Sequence, residues 1–261
     1  MTMHENAYAK INLYLAVGEK RADGFHDILT YMRAVSLADE LKIDVKKASD
    51  TKITLKVEGN AAIPADKTNL VYKAALLFLD KARQNAHVNI HLKKVIPTGA
   101  GLGGGSSDGA AVLRALNRFY DFPFSEKELS ELAAALGSDV PFFITSKAAL
   151  CEGRGEKLKP LRTNDNYYAL IVGGKEHSNT AVAYRLLDEW KQRNGSTPKK
   201  DVDVENFSIH DVYNDFEAPI SLACPSVKEH LDMLASFEPL ACAMSGSGSA
   251  VFGIFETEEK A

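Results

Sequence analysis

Apolar and polar residues alternate along residues 9–17 (Ala-Lys-Ile-Asn-Leu-Tyr-Leu-Ala-Val), which predicts a β-strand. Residues 31–37 and 40–45 predict two further strands. Residues 51–58 alternate almost without interruption, so one face of that strand should meet water. Over 69–83 the apolar spacing becomes helical, and 88–96 returns to a strand that ends at Pro97. A glycine-rich run follows, then a helix over 107–119. Ser125-Glu126-Lys127-Glu128 fits a capping box before a helix that stops at Gly137. Asp139-Val140-Pro141 opens a short turn or helix. In the second half, 158–172 carries strand-like content around 167–172, 180–190 is helical, and 191–206 reads as an exposed loop with Gly195 and Pro198. Ser226 to Glu229 suggests another capping box, opening a helix to Phe237. A glycine–serine turn over 245–249 precedes a last strand at 251–255. Strands and helices mix without regular βαβ alternation, so the predicted class is α+β rather than a doubly wound sheet.

Composition narrows the partners. The chain has 261 residues, 45% apolar and 25% charged, which is ordinary for a globular protein with a large core. A net charge of −4 offers no basic field for nucleic acid or an anionic membrane. The apolar runs are too short for a membrane span, and residues 1–10 have no signal-peptide core. Cys151, Cys224 and Cys242 are scattered, which argues against a disulfide frame or zinc site and for a reducing, cytoplasmic setting.

The chemistry concentrates in Pro97-Thr98-Gly99-Ala100-Gly101-Leu102-Gly103-Gly104-Gly105-Ser106-Ser107. Bare backbone ahead of a helix brings N–H groups and a positive dipole end to an anion. Gly99, Gly101 and Gly104 match the dinucleotide fingerprint, yet the preceding strand is polar (Asn89, His91, Lys93, Lys94), and Asp121 sits in a turn. No lysine follows the glycines, which excludes a Walker loop. A phosphate cradle that borrows its charge from elsewhere remains, beside a plain glycine turn.

This segment resembles the ATP loop of the GHMP kinases (galactokinase, homoserine kinase, mevalonate kinase, phosphomevalonate kinase). Residues 9–15 are similar to the family's N-terminal motif, 136–142 (Leu-Gly-Ser-Asp-Val-Pro-Phe) to its catalytic-aspartate motif, and 245–250 to its third, glycine-rich motif. Residues 21–26 (Arg-Ala-Asp-Gly-Phe-His) are close to a cytidyl-recognition segment found in one branch. The resemblance implies a two-domain GHMP kinase fold, with an ATP-binding and catalytic domain over 1–155 and a ferredoxin-like α/β domain on the substrate side over 156–261. Family members usually continue past the third motif with a helix and a strand. With the last residue at Ala261, the expectation is either a C-terminal domain trimmed of them or a sequence that stops short of them.

The resemblance also implies roles. Lys10 and Asp139 are the catalytic pair, Asp139 as general base and Lys10 as charge stabiliser. Asp139 could instead cap a helix, and Lys10 could be a solvated lysine on a strand face. Asn12 shares the face of Lys10 and would point into the same site. Pro97 to Ser107 would hold the triphosphate of ATP, with Ser106 and Ser107 touching its oxygens or Mg²⁺, or else capping the helix behind them. Asn69 and Lys94 would flank the nucleotide base, although Asn69 equally suits a helix cap. Phe25, where the family more often has tyrosine, would stack on cytosine, and His26 would hydrogen-bond its polar edge. Thr180 would contact substrate or cap its helix. The implied reaction moves the γ-phosphoryl group of ATP onto the 2-hydroxyl of a cytidyl-methylerythritol. A homoserine- or mevalonate-type kinase, or a GHMP-fold protein that binds without transferring phosphate, are the alternatives.

Overall fold

The alternation predicted for 9–17 extends over a much longer strand in the computed structural model, β1 (Thr2–Lys20). The structure describes residues 1–161, 167–174, 178–195 and 207–261. The two strands predicted over 31–37 and 40–45 are one, β2 (His26–Lys47). Asp39 falls between the two predicted strands, and aspartate disfavours strand positions. Here its carboxylate is buried and fully engaged, accepting from the backbone N–H groups of Val95 and Ile96 at 2.6 and 2.8 Å.

Two compact units emerge, one from residues 1–9, 34–96 and 103–147, the other from 10–33, 97–102 and 148–261. In the first, β3 (Lys52–Glu58) pairs parallel with β4 (Ala86–Lys93), and β4 pairs antiparallel with β2, Ile43 opposite Ile90. The strand order is β3-β4-β2-β1. No face of β3 is fully buried, in keeping with its polar alternation. The sheet's buried side chains include Leu41, Ile43, Val88 and Ile90. Helices α1 (Leu70–Lys81) and α2 (Gly104–Phe119) pack on each other, and α3 (Glu126–Ala134) and the single turn α4 (Phe142–Thr145) join them.

In the second unit, β2 carries β5 (Ala149–Gly153), which pairs with β6 (Lys157–Pro160). A second, antiparallel sheet has the order β7 (Tyr168–Val172), β10 (Val251–Phe255), β9 (Ala241–Met244). Helices α5 (Thr180–Asn194), α6 (Glu217–Ala223) and α7 (Pro225–Ala235) belong here, and the short β8 (Tyr213–Asn214) runs parallel to β1. Leu15, Val17, Leu187, Phe216, Val227 and Val251 share one core.

The element ends show where local signals succeed. Ser125 forms the predicted capping box: its N–H donates to Glu128 at 2.8 Å and its hydroxyl accepts from Glu128 N–H at 3.4 Å. The box predicted at Ser226 is absent. Pro225 occupies the first helical position of α7, so the helix starts two residues early and Ser226 lies buried inside its first turn. Helix α5 runs on to Asn194, past its predicted end at 190. The rest of the loop predicted over 191–206 lies, from 196, outside the described residues, as do 162–166 of the segment predicted over 158–172.

Phe78 is fully buried in α1 and meets Phe124 edge-on, ring centroids 5.3 Å apart. Phe78→Ala is expected to cost about 3–5 kcal/mol of stability, read as a lower urea midpoint of unfolding.

Candidate active site

The glycine run is built in two parts. In its first part each carbonyl is committed within the second unit. Gly99 accepts from Ser178 N–H (2.9 Å), Ala100 from Ala250 N–H (3.1 Å), Gly101 from the Ser245 hydroxyl (3.0 Å) and Leu102 from Lys10 N–H (3.0 Å). Backbone handedness alternates here: φ is positive at Gly99, Gly101 and Gly103 (64°, 78° and 70°) and not at Ala100 or Leu102. Successive peptides of alternating hand form a concave nest of N–H groups that suits an anion. A Cβ at Gly101 would collide with the Ser245 carbonyl oxygen, so the third motif and the loop approach to backbone contact.

In its second part the run starts α2. The helix begins at Gly104, three residues before the predicted start, with left-handed Gly103 as its cap. Gly104, Gly105 and Ser106 therefore fill a first turn, where a helix offers N–H groups no internal acceptor. Neither Ser106 nor Ser107 is a helix cap. Ser107 is fully buried, and its Oγ has no hydrogen-bond partner. An orphaned hydroxyl at a helix start fits a phosphate oxygen or a cation. Among the described residues, no three His, Cys, Asp or Glu side chains gather as a metal site.

Lys94 lies beneath this turn. Its ammonium is buried and bonds Asp39 and, at 2.7 Å, Asp108 of α2. A Cβ on Gly104 would come within 3.2 Å of Lys94 Nζ. One cation between two carboxylates leaves an excess negative charge in a dry place. Burial pushes the Asp108 carboxyl up to about 7, Lys94 opposes the shift, and Asp39 adds to it.

Lys10 and Asn12 are brought together. The Lys10 ammonium, buried rather than solvated, donates to Asn12 Oδ1. Asn12 Nδ2 donates to the Thr30 hydroxyl (2.7 Å), which donates to the Tyr14 carbonyl (2.7 Å). A Cβ on Gly246 would lie 3.1 Å from Lys10 Nζ, so bare backbone is what lets the third motif approach the amine. That turn is held by Asn214, whose Nδ2 donates to the carbonyls of Met244 (2.6 Å) and Gly246 (2.8 Å). Asp139 belongs to the first unit. It is half-buried in the turn before α4, whose cap position is Pro141 with no side-chain cap bond, so the capping alternative for Asp139 falls away.

Phe25 is half exposed, with the Arg154 guanidinium 4.9 Å from its ring centroid. His26 is buried, stacked on Tyr184 at 4.8 Å and bonded through Nε2 to Asp188 at 2.9 Å. Asn69 caps α1, accepting from Val71 N–H (2.9 Å) while its amide donates to the Pro64 carbonyl (2.8 Å). Thr180 does not cap α5; Asn179 does, and the exposed Thr180 hydroxyl lies 3.1 Å from that of Ser247.

The model of the "GHMP kinases N terminal domain" matches residues 69–147, and that of the "GHMP kinases C terminal" matches 203–261. The chain is 39% identical to the 4-diphosphocytidyl-2-C-methyl-D-erythritol kinase of Desulfotalea psychrophila, over 97% of this chain and 86% of that protein. The chain belongs to the GHMP kinase family. The enzyme of the same name from Bacillus licheniformis is 36% identical over 100% of this GHMP kinase and 90% of its own length. A crystal structure of 4-(cytidine 5'-diphospho)-2C-methyl-D-erythritol kinase aligns with a TM-score of 0.81 at 35% identity, covering 99% of this chain and 92% of that one. A homoserine kinase from Cytophaga hutchinsonii aligns at 0.73 and 18% identity, which speaks for the two-domain GHMP kinase fold alone.

Several residues that engage the predicted ones belong to no motif of the sequence. Tyr184 and Asp188 stand one helical turn apart, a signal visible in 180–190 but indistinguishable there from ordinary helix composition. Asp39, Asp108 and Asn214 gave no local signal, since each acts on backbone or charge distant in sequence.

The raised Asp108 carboxyl has a testable sign. Between the ordinary aspartate range near pH 4 and about 7, the folded state holds a proton that the unfolded chain has lost. Its stabilising contribution is therefore complete at low pH and lost as pH rises through about 7. The slope of thermal midpoint against pH between 5 and 8 should become less negative in Asp108→Asn than in the wild type.

Proposed function

We propose that this GHMP kinase transfers the γ-phosphoryl group of ATP to the 2-hydroxyl of 4-diphosphocytidyl-2-C-methyl-D-erythritol. The observation that carries the reading is near-full-length identity, 39% over 97% of the chain, to a kinase named for that substrate. The site's chemistry agrees with it. The alternating nest and the first turn of α2 offer N–H groups to a triphosphate. The orphaned Ser107 hydroxyl fits Mg²⁺ or a phosphate oxygen. Bound Mg²⁺ would neutralise charge on the β- and γ-phosphates.

Phosphoryl transfer asks little covalent chemistry of the protein, so positioning and charge carry the catalysis. Asp139 is the proposed general base for the 2-hydroxyl. Lys10, its amine held in place by Asn12, supplies the positive charge that the glycine loop lacks and stabilises the moving phosphoryl group. Phe25 and His26 take the cytosine. Asn69 and Lys94 serve the nucleotide side by ordering the starts of α1 and α2. Thr180 stands beside the third motif, on the substrate side. The functional division is proposed near residue 155, with ATP and the catalytic pair before it and the substrate-side domain after it. Three free cysteines support a reducing, cytoplasmic setting. No helix among the described residues is long and apolar enough to cross a membrane.

An ATP-consumption assay across cytidyl-methylerythritol, homoserine and mevalonate should give turnover on the first alone; turnover only on either of the others overturns the substrate. Asp139→Asn should fold normally and lose about 10²–10⁴-fold in kcat. An unchanged kcat would remove Asp139 from the mechanism.

A further inference from the structure

His26 has two ring nitrogens, and recognition of a base edge needs only one of them. The other is already engaged: Nε2 lies 2.9 Å from Asp188 Oδ1. Tyr184 and Asp188 are four residues apart on α5, so one helix face presents both an aromatic ring and a carboxylate to the imidazole. The rings of Tyr184 and His26 are nearly parallel, 17° apart, and Phe216 buttresses Tyr184 edge-on at 4.9 Å. The imidazole is therefore held in plane and at one edge. Among the described residues its ring makes no second hydrogen bond.

A carboxylate accepts hydrogen bonds and cannot donate them, so the shared hydrogen belongs to Nε2. In a neutral imidazole Nδ1 is then a bare acceptor. Cytosine carries a 4-amino group, a donor; uracil carries a carbonyl oxygen at the same place. We propose that Asp188 is a positioning residue that fixes His26 as the Nε2–H tautomer, and that the resulting Nδ1 acceptor selects a 4-amino over a 4-oxo pyrimidine. The assignment rests on the cytidyl reading above and deepens it. The selecting atom belongs to His26, but its character is set by a helix residue 162 positions away. A 4-oxo base would set two acceptors against each other in a desolvated place, where an unmade hydrogen bond is costly.

The test compares cytidyl- and uridyl-diphospho-methylerythritol as substrates of the wild type, Asp188→Ala and Asp188→Glu. The wild type should prefer the cytidyl form in kcat/KM. Asp188→Ala should lose at least about tenfold of that preference, through KM for the pyrimidine substrate, with KM for ATP unchanged. Asp188→Glu keeps a carboxylate and should recover part of it. Nitrogen NMR of the wild-type His26 ring should show the hydrogen on Nε2 at neutral pH, a readout that needs no variant to fold. An unchanged preference in Asp188→Ala, or a wild-type ring with its hydrogen on Nδ1, overturns the proposal. A wild type inactive on both nucleotides overturns the substrate reading and the selection with it, while the ring spectrum still decides the tautomer.

Discussion

A single buried carboxylate, that of Asp39, organises the approach to the glycine loop. It takes the N–H groups of Val95 and Ile96 and the ammonium of Lys94, which reaches on to Asp108 in α2. The strand β4, the turn out of it and the helix behind the glycines are thereby tied to the middle of β2. A dry ion cluster of this kind is a poor source of net stability, because desolvation offsets most of its attraction. Its value is geometric. The first turn of α2 can be left with idle N–H groups only if something other than its own sequence holds it, since Gly-Gly-Ser is a weak helix start.

The second unit uses the same device around Lys10. An amine buried on a strand face would be costly alone, but Asn12, Thr30 and the Tyr14 carbonyl form a chain in which each donor meets an acceptor. The chain fixes where the charge sits. Asn214 does the corresponding work for the third motif through the carbonyls of Met244 and Gly246. In both places polar side chains replace packing as the means of placing a functional group, and both lie where backbone comes too close for side chains.

The sequence made the periodic elements legible, because alternation and helical spacing record which face is buried. It also exposed the loop, because so many glycines in one short run mark a backbone that must stay bare. Boundaries were less legible where a distant partner decided them. The supposed gap between two strands closed because Asp39 had acceptor work inside the fold. The helix over 104–119 began early because Gly103 adopts the left-handed cap. The box at Ser226 lost to the proline before it. His26 was visible as a motif residue, whereas the groups that orient it, Tyr184 and Asp188, were hidden in a helix whose composition is unremarkable.

The interleaving of the chain bears on how it must be made. Residues 10–33 belong to a unit completed only by 148–261. Leu15 and Val17 find their core partners in Phe216, Val227 and Val251. A nascent chain therefore carries an apolar strand segment without its core for most of its synthesis, while the residues of the other unit are all present by 147. Such an order exposes a sticky edge early and delays cooperative collapse to the end. The arrangement that puts Lys10 in the second unit thus leaves the apolar part of the N-terminal strand without its core partners until synthesis is nearly complete.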